Sequence, residues 1–166
     1  MLRRRADAAV RSPDGSLQLE VEVKTKRGAT ADWAARLLRN MLFHEAVPSA
    51  PYFMLALPEK IYLWDLRNHP LAEASAWSEA GPKPDYEADA APVFEPYLDG
   101  GEPSLADLGE ESLVLVVASW LTDLLNSDPS ELREQIAQPE LRALLFDSGL
   151  YGAARRGAVA TEAALS

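Results

Sequence analysis

Residues 17–26 read Leu-Gln-Leu-Glu-Val-Glu-Val-Lys-Thr-Lys, and their apolar and polar side chains alternate without a break. Such alternation is typical of a β-strand with one buried face. The preceding Ser12-Pro13-Asp14-Gly15 favours a tight turn, because proline presets φ and glycine accepts a positive φ. The pattern therefore predicts a β-hairpin over residues 6–26, with residues 6–11 as its first strand.

Four further patterns extend this start into an α/β fold. Apolar residues at helical spacing predict helices over residues 31–46 and 110–125, and N-terminal prolines predict shorter ones over 130–137 and 140–147. Residues 52–64 are rich in aromatic and β-branched side chains and predict a second hairpin, whose nearly all-apolar first strand indicates a position covered on both faces. We expect a mixed β-sheet flanked by helices.

The chain divides by composition into three parts. Residues 1–64 hold both hairpins and the intervening helix, and residues 110–166 hold the C-terminal helices expected to pack on this core. Between them, residues 65–109 contain six of the twelve prolines and several acidic residues, which indicates a largely irregular connector. Four aromatic residues of that connector are expected to attach it to the core: Trp77, Tyr86, Phe94 and Tyr97.

Composition limits the classes of protein to consider. The chain has 166 residues, no cysteine and a formal net charge of −10. A disulfide scaffold is excluded, and no apolar run reaches membrane-spanning length. The N-terminus lacks the apolar segment of a secretion signal, so we expect a cytoplasmic protein. Net acidity argues against general nucleic-acid binding, but residues 1–40 carry nine basic and five acidic side chains and so form a basic region.

The polar side of the first hairpin carries the residues of chemical interest. Glu22 and Lys24 project from the same face of one strand, and Asp7 begins the neighbouring strand. Carboxylate oxygens are the ligands that Mg²⁺ prefers, and an adjacent lysine can orient a metal-bound water or neutralise charge on a phosphate. The alternative interpretation is a solvated strand face with a cross-strand ion pair. Glu20, on the same face of this strand, is either an accessory ligand or a surface charge.

The pattern Asp7 … Glu22-Val23-Lys24 resembles the PD-(D/E)xK nuclease superfamily, which has the restriction-endonuclease-like fold, with Ala6 where the motif has proline. The resemblance covers residues 3–64 and extends to small bacterial members of that superfamily. It implies that Asp7, Glu22 and Lys24 are catalytic. It also implies that Asp7, Glu22 and the Val23 carbonyl bind Mg²⁺ or Mn²⁺.

The resemblance implies a metal-dependent DNA endonuclease, in a defence or mobile-element setting. Four basic residues near the motif are candidates for contact with a phosphate backbone: Lys26, Arg27, Arg36 and Arg39. Cutting both strands needs two sites, so a homodimer is expected. The alternative is a catalytically inactive nuclease-like subunit that binds or regulates a protein partner through its acidic C-terminal half. The net charge favours this alternative, as does the short stretch before Asp7, where members of the superfamily usually have a helix.

Overall fold

The computed structural model describes residues 6–43, 48–70, 73 and 77–161 of the chain. The strands described are β1 (Ala8–Arg11), β2 (Leu17–Val23), β3 (Tyr52–Ala56), β4 (Lys60–Asp65), β5 (Tyr86–Asp89) and β6 (Ala158–Thr161). The helices described are α1 (Ala31–Phe43), α2 (Ala91–Phe94), α3 (Glu110–Leu125), α4 (Pro129–Gln135), α5 (Pro139–Arg142) and α6 (Leu150–Ala154). A π-helical segment, Ala143–Asp147, connects α5 to the turn before α6.

The strands form one mixed sheet in the order β5-β4-β3-β2-β1-β6. Strands β2 and β3 are parallel, and α1 connects them as a crossover helix. The other neighbouring pairs are antiparallel. The expected α/β class, a mixed sheet flanked by helices, is confirmed.

Each face of the sheet has its own core. On one face, α1 covers alternate residues of β3 and β4, including Phe53, Leu55 and Trp64. On the other face, α2 to α6 cover the remaining side chains, including Val21 and Met54. Every residue of β3 is buried, as expected for a strand covered on both sides. The polar side of β2 therefore lies on the α1 face and not in open solvent.

The predicted elements are present with shifted ends. Both hairpins form, and α3 spans the predicted 110–125. Helix α1 starts at residue 31, where the Thr30 hydroxyl accepts a hydrogen bond from the Trp33 N–H at 3.1 Å. Residues 44–47, at the end of the predicted helix, lie outside the described residues. The two short helices form as α4 and as α5 with its π-helical continuation.

Strands β5 and β6 were not predicted. The connector expected to be largely irregular contains β5, α2 and three turns of 3₁₀ helix. The tail from residue 150 is rich in alanine, a composition that predicts weak helix at most, and it contains α6 and β6. The four connector aromatics do pack against the two cores, as expected. Strands from residues 1–64, 65–109 and 110–166 thus join one sheet. The division of the chain into these three parts remains a prediction.

No helix in the described part of the chain is long and apolar enough to cross a membrane.

Candidate functional site

The carboxylate of Asp7 ends the β1–β2 ladder. Its Oδ2 accepts a hydrogen bond from the Val23 N–H at 2.7 Å, in a buried position. Strand residues Ala8 and Val21 form the last pair of this ladder. In an antiparallel pair, the N–H and C=O of one residue point toward the same neighbour. The Val23 carbonyl therefore points to the side of β2 on which Asp7 lies.

Glu22 lies on the same sheet face as Asp7. Extending the β1–β2 register by one residue places Asp7 opposite Glu22, and on the other side Glu22 pairs with Leu55 of β3. Only 1 % of Glu22 is exposed, so the carboxylate is removed from bulk water. The Lys24 Nζ lies 3.5 Å from the Glu22 Oε1, and the Lys24 side chain retains 28 % exposure. The structure thus brings Asp7, Glu22, Val23 and Lys24 together where the hairpin ends.

The donor set of this cluster fits a small divalent cation. Two carboxylates and a main-chain carbonyl are hard oxygen ligands, and Mg²⁺ is commonly bound by one or two carboxylates while keeping several waters. Among the described residues, Asp, Glu and His side chains form no group of three or more suited to a metal. A cation here would therefore need the Val23 carbonyl, water or substrate oxygens.

The chain after Lys24 is held by hydrogen bonds to β4 and to the turn before it. Gly28 has a φ of +67° and donates its N–H to the Glu59 carboxylate at 2.5 Å. The Tyr62 hydroxyl donates to the Ala29 carbonyl at 3.3 Å. Lys24 itself is fixed through its backbone, because its N–H donates to the Ala56 carbonyl at 3.2 Å. These contacts hold the start of α1 and the lysine in fixed positions next to Glu22.

The four basic residues proposed to contact nucleic acid lie in different surroundings. Lys26 is exposed in the loop after β2, and Arg36 is exposed on α1. Arg27 donates to the Ala106 carbonyl at 2.7 Å and lies 3.3 Å from Asp107, so its guanidinium holds the loop against a neighbouring 3₁₀ turn. Arg39 is half-buried on α1.

Glu20 has a structural contact that the sequence did not indicate. Its Oε1 accepts hydrogen bonds from the Ser49 N–H at 2.6 Å, the Ser49 hydroxyl at 3.0 Å and the Ala50 N–H at 3.0 Å. Glu20 thus holds the turn that leads into β3. This oxygen is used by the turn, which argues against both earlier interpretations, a free surface charge and an accessory ligand.

A second polar cluster lies at the opposite end of β3. Arg67 binds Asp65 with its Nε at 2.8 Å and with a terminal nitrogen at 2.7 Å, and also donates to the Tyr52 hydroxyl at 2.8 Å. The His69 Nε2 lies 3.1 Å from both carboxylate oxygens of Asp85. Asp85 in turn accepts the Asp65 N–H at 2.8 Å. Hydrogen bonds from Arg67 hold the pKa of Asp65 below its ordinary value, and burial raises the pKa of Tyr52.

A groove on the face covered by the C-terminal helices lies away from both clusters. Its volume is about 550 Å³. The lining includes Pro92, Tyr97, Trp120, Leu132, Ile136 and Leu141. The Tyr97 hydroxyl donates to Asp123 at 2.6 Å, and burial, together with this carboxylate, raises the pKa of Tyr97. Local sequence patterns did not predict this groove, because its walls come from α2, α3 and the segment around α4.

Comparison with known proteins gives no match: no family model, no curated protein and no solved structure is similar to the chain.

Proposed function

We propose that the protein is a metal-dependent DNA endonuclease with a restriction-endonuclease-like fold and a PD-(D/E)xK-type site. One observation carries this proposal. The hairpin brings two buried carboxylates, Asp7 and Glu22, to one face of neighbouring strands, with the Lys24 ammonium 3.5 Å from Glu22. The resemblance assigns its catalytic roles to these same three residues.

Each residue has a distinct role in the proposed reaction. Asp7, Glu22 and the Val23 carbonyl would hold Mg²⁺ or Mn²⁺. Such an ion, when bound, supplies a more acidic water and stabilises charge on the phosphate. Lys24 is partly exposed, so its ammonium is able to reach a phosphate oxygen and neutralise charge that develops there. Lys26 and Arg36, which are exposed, would contact the phosphate backbone on either side of the site.

The local architecture supports the same proposal. The order hairpin, helix and parallel strand places the polar side of β2 on the same sheet face as Phe53 and Leu55, which α1 covers. That side is buried at Glu22 and opens at Lys24, which gives a dry ligand pair next to an accessible cation. Electrostatic interactions are stronger in such a partly dehydrated position than in open water.

The experiment is cleavage of supercoiled plasmid and of single-stranded DNA in the presence of Mg²⁺ or Mn²⁺. We expect nicking by the wild type, and a rate lowered by about 10²-fold or more in Lys24→Ala. Lys83→Ala is the matched control, because Lys83 is 74 % exposed and lies 3.6 Å from Asp32 on α1. That control is expected to cleave at the wild-type rate.

Absence of cleavage of both DNA substrates by folded wild-type protein with either metal would overturn the proposal. Equal rates for Lys24→Ala and Lys83→Ala would assign the activity to another site or to a contaminant. Folding is checked for each variant by thermal melting, so a lost activity is not confused with a lost structure.

The second candidate function is a catalytically inactive subunit that binds a basic protein segment. Residues 85–147 carry fifteen acidic and two basic side chains, and the 550 Å³ groove with its apolar walls lies within this range. Apolar anchors flanked by lysine or arginine would suit such a surface. The test is binding of a basic amphipathic helical peptide to the wild type and to Trp120→Ala, by calorimetry. Binding weakened about tenfold by this variant would support the subunit, and equal binding would exclude the groove.

A further inference from the structure

The two edges of the sheet are built differently. Strand β5 forms one edge, and the side-chain amide of Gln138 binds its main chain there. The Asp89 N–H donates to Gln138 at 2.6 Å, and Gln138 donates back to the Asp89 carbonyl at 3.3 Å. Exposed Glu87 and Asp89 add charge to this edge. Charged side chains and covering groups are the usual means of keeping an edge strand from pairing.

Strand β6 forms the other edge and lacks these features. Its four residues are Ala158, Val159, Ala160 and Thr161, without charge or proline. No described strand pairs with its outer side. An uncharged edge of this kind is a template for another strand.

The outward main-chain groups of β6 follow from the register. Because the Lys24 N–H donates to β3, odd-numbered residues of β2 face β1. Ala8 pairs with Val21, so the main-chain groups of Ala8 face β2 and those of Ala9 face β6. Ala9 pairs with Ala160, so the main-chain groups of Ala160 face β1. The N–H and C=O groups of Val159 and Thr161 therefore point away from the sheet. A second strand at this edge would accept hydrogen bonds from these N–H groups and donate hydrogen bonds to these carbonyls.

A largely uncharged strip of α3 lies beside this edge. Leu115 is 64 % exposed and is the single large hydrophobic residue of the described chain with such exposure. A shallow groove on the surface joins it to β6, and its lining includes Ala118, Ser119, Thr122, Val159 and Thr161, with Asp123 as its one charged residue. Residues 112–122 and 157–161 contain no charged side chain. In a chain of net charge −10, this region is one that two copies are able to approach without repulsion.

The two ends of the strip differ in charge: Asp128 lies with Arg155 and Arg156 at one end, and two glutamates lie at the other. Arg155 and Arg156 precede β6, and the Arg156 N–H donates to the Leu125 carbonyl, so they lie at the C-terminal end of α3. Glu110 and Glu111, both exposed, lie at its N-terminal end. A two-fold axis perpendicular to β6 would place the arginine end of one copy against the glutamate end of the other.

We propose that the protein forms a two-fold homodimer in which β6 pairs antiparallel with β6 of a second copy. Leu115 and the small residues of α3 pack against the same strip of the partner, and the arginine and glutamate ends form ion pairs across the axis. The interface is self-complementary, as two-fold symmetry requires. The two sheets join into one continuous sheet.

The test measures mass in solution by light scattering and sedimentation over a range of protein concentrations. We expect twice the chain mass of 18.1 kDa for the wild type. Leu115→Glu places a carboxylate in the strip, and Val159→Pro removes an outward N–H without touching the β1 ladder. Each variant is expected to raise the dimer dissociation constant about tenfold or more. Leu115→Glu alters an exposed side chain, so it remains a valid test if the proline variant fails to fold.

Charge reversal distinguishes the second copy from any other occupant. Arg155→Glu with Arg156→Glu should weaken the dimer, and so should Glu110→Lys with Glu111→Lys. A mixture of the two variants is expected to form heterodimers, since opposite charges then meet at both ends of the strip. Wild-type protein that stays monomeric at high micromolar concentration would overturn the proposal. A dimer unaffected by Leu115→Glu and by both reversals would equally overturn it.

Discussion

The two polar clusters at the opposite ends of β3 are built for different purposes. Around Asp65, the carboxylate oxygens receive short bonds of 2.7 to 3.0 Å from Arg67. Around Asp7 and Glu22, one carboxylate accepts a main-chain N–H, and the ion-pair distance from Lys24 to Glu22 is 3.5 Å. The first cluster is a closed network that stabilises the fold. The second holds two carboxylates together and leaves a partly exposed ammonium beside them.

The contacts of the carboxylates offer a way to distinguish a candidate ligand site from a cluster that only stabilises the fold. A bidentate arginine–carboxylate pair satisfies both partners within the protein, so it has little capacity left for a ligand. A pair of buried carboxylates beside a partly exposed lysine offers oxygen ligands of the kind that a divalent cation takes and an ammonium of the kind that a phosphate takes. If this interpretation is right, changes in the two clusters should affect different measured properties.

The largest expected effect is on catalysis at the Asp7 end. Lys24→Ala should lower the rate of phosphodiester cleavage by about 10²-fold or more, which corresponds to about 2.7 kcal/mol of transition-state stabilisation. The midpoint of thermal unfolding should change little, because the Lys24 side chain is 28 % exposed. Plasmid nicking rates and melting curves on the same preparations check both parts. A large loss of stability in this variant would mean that Lys24 is mainly structural.

The next effect is on stability at the opposite end. Asp65→Ala should lower the free energy of unfolding by about 1–3 kcal/mol, because the Arg67 guanidinium and a main-chain N–H lose their acceptor. The matched control is Asp107→Ala, whose ion pair with Arg27 is exposed on both sides and should contribute about 0–1 kcal/mol. Urea unfolding measures both variants. Nuclease activity per folded molecule should stay at the wild-type level in each.

A pair of substitutions at Asp7 separates its two roles. Asp7→Asn keeps an oxygen that accepts the Val23 N–H but removes the charge, whereas Asp7→Ala removes both. We expect Asp7→Ala to lose about 1–2 kcal/mol more stability than Asp7→Asn, since a buried N–H loses its partner. Both should lose cleavage activity. Activity retained in Asp7→Asn would show that the carboxylate charge has no part in catalysis.

The smallest effect concerns the dependence of stability on pH. Because Arg67 holds the pKa of Asp65 below its ordinary value, Asp65 binds protons more weakly in the folded state than in the unfolded state. Its contribution to stability is complete above the unfolded pKa of about 3.9 and is lost as the pH falls through the folded pKa. Urea unfolding between about pH 2 and pH 6 should show a shallower pH dependence for Asp65→Asn than for the wild type. Identical slopes would contradict this assignment.

Local patterns predicted most of the sheet. The alternation in residues 17–26, the Asp14-Gly15 turn and the apolar run at 52–57 fix β1 to β4, because the signals lie within a few residues of each element. The stripe on α3 gave that helix its observed limits. At the site, the alternation placed Glu22 and Lys24 on one face, and the hairpin placed Asp7 beside them.

Long-range contacts decide what the sequence did not predict. Strand β6 pairs with β1 from the far end of the chain, and its four small residues carry no local signal of their own. Strand β5 has only one buried residue, Ala88, so its pattern does not stand out from the proline-rich connector. The burial of Glu22 depends on residues distant in sequence, since its neighbour across the sheet is Leu55 of β3. Nothing within residues 17–26 indicates that this side of β2 is covered.

The hydrogen bonds between Gln138 and Asp89 have a consequence for assembly size. A sheet with two free edges can add copies without limit and grow into a fibre. Here the β5 edge is already bound by the Gln138 side chain of the same molecule. Two copies that join through their β6 edges therefore leave only β5 edges at the two ends of the combined sheet. In the proposed dimer, growth would therefore stop at two copies, and substitution of Gln138 by alanine would remove that limit.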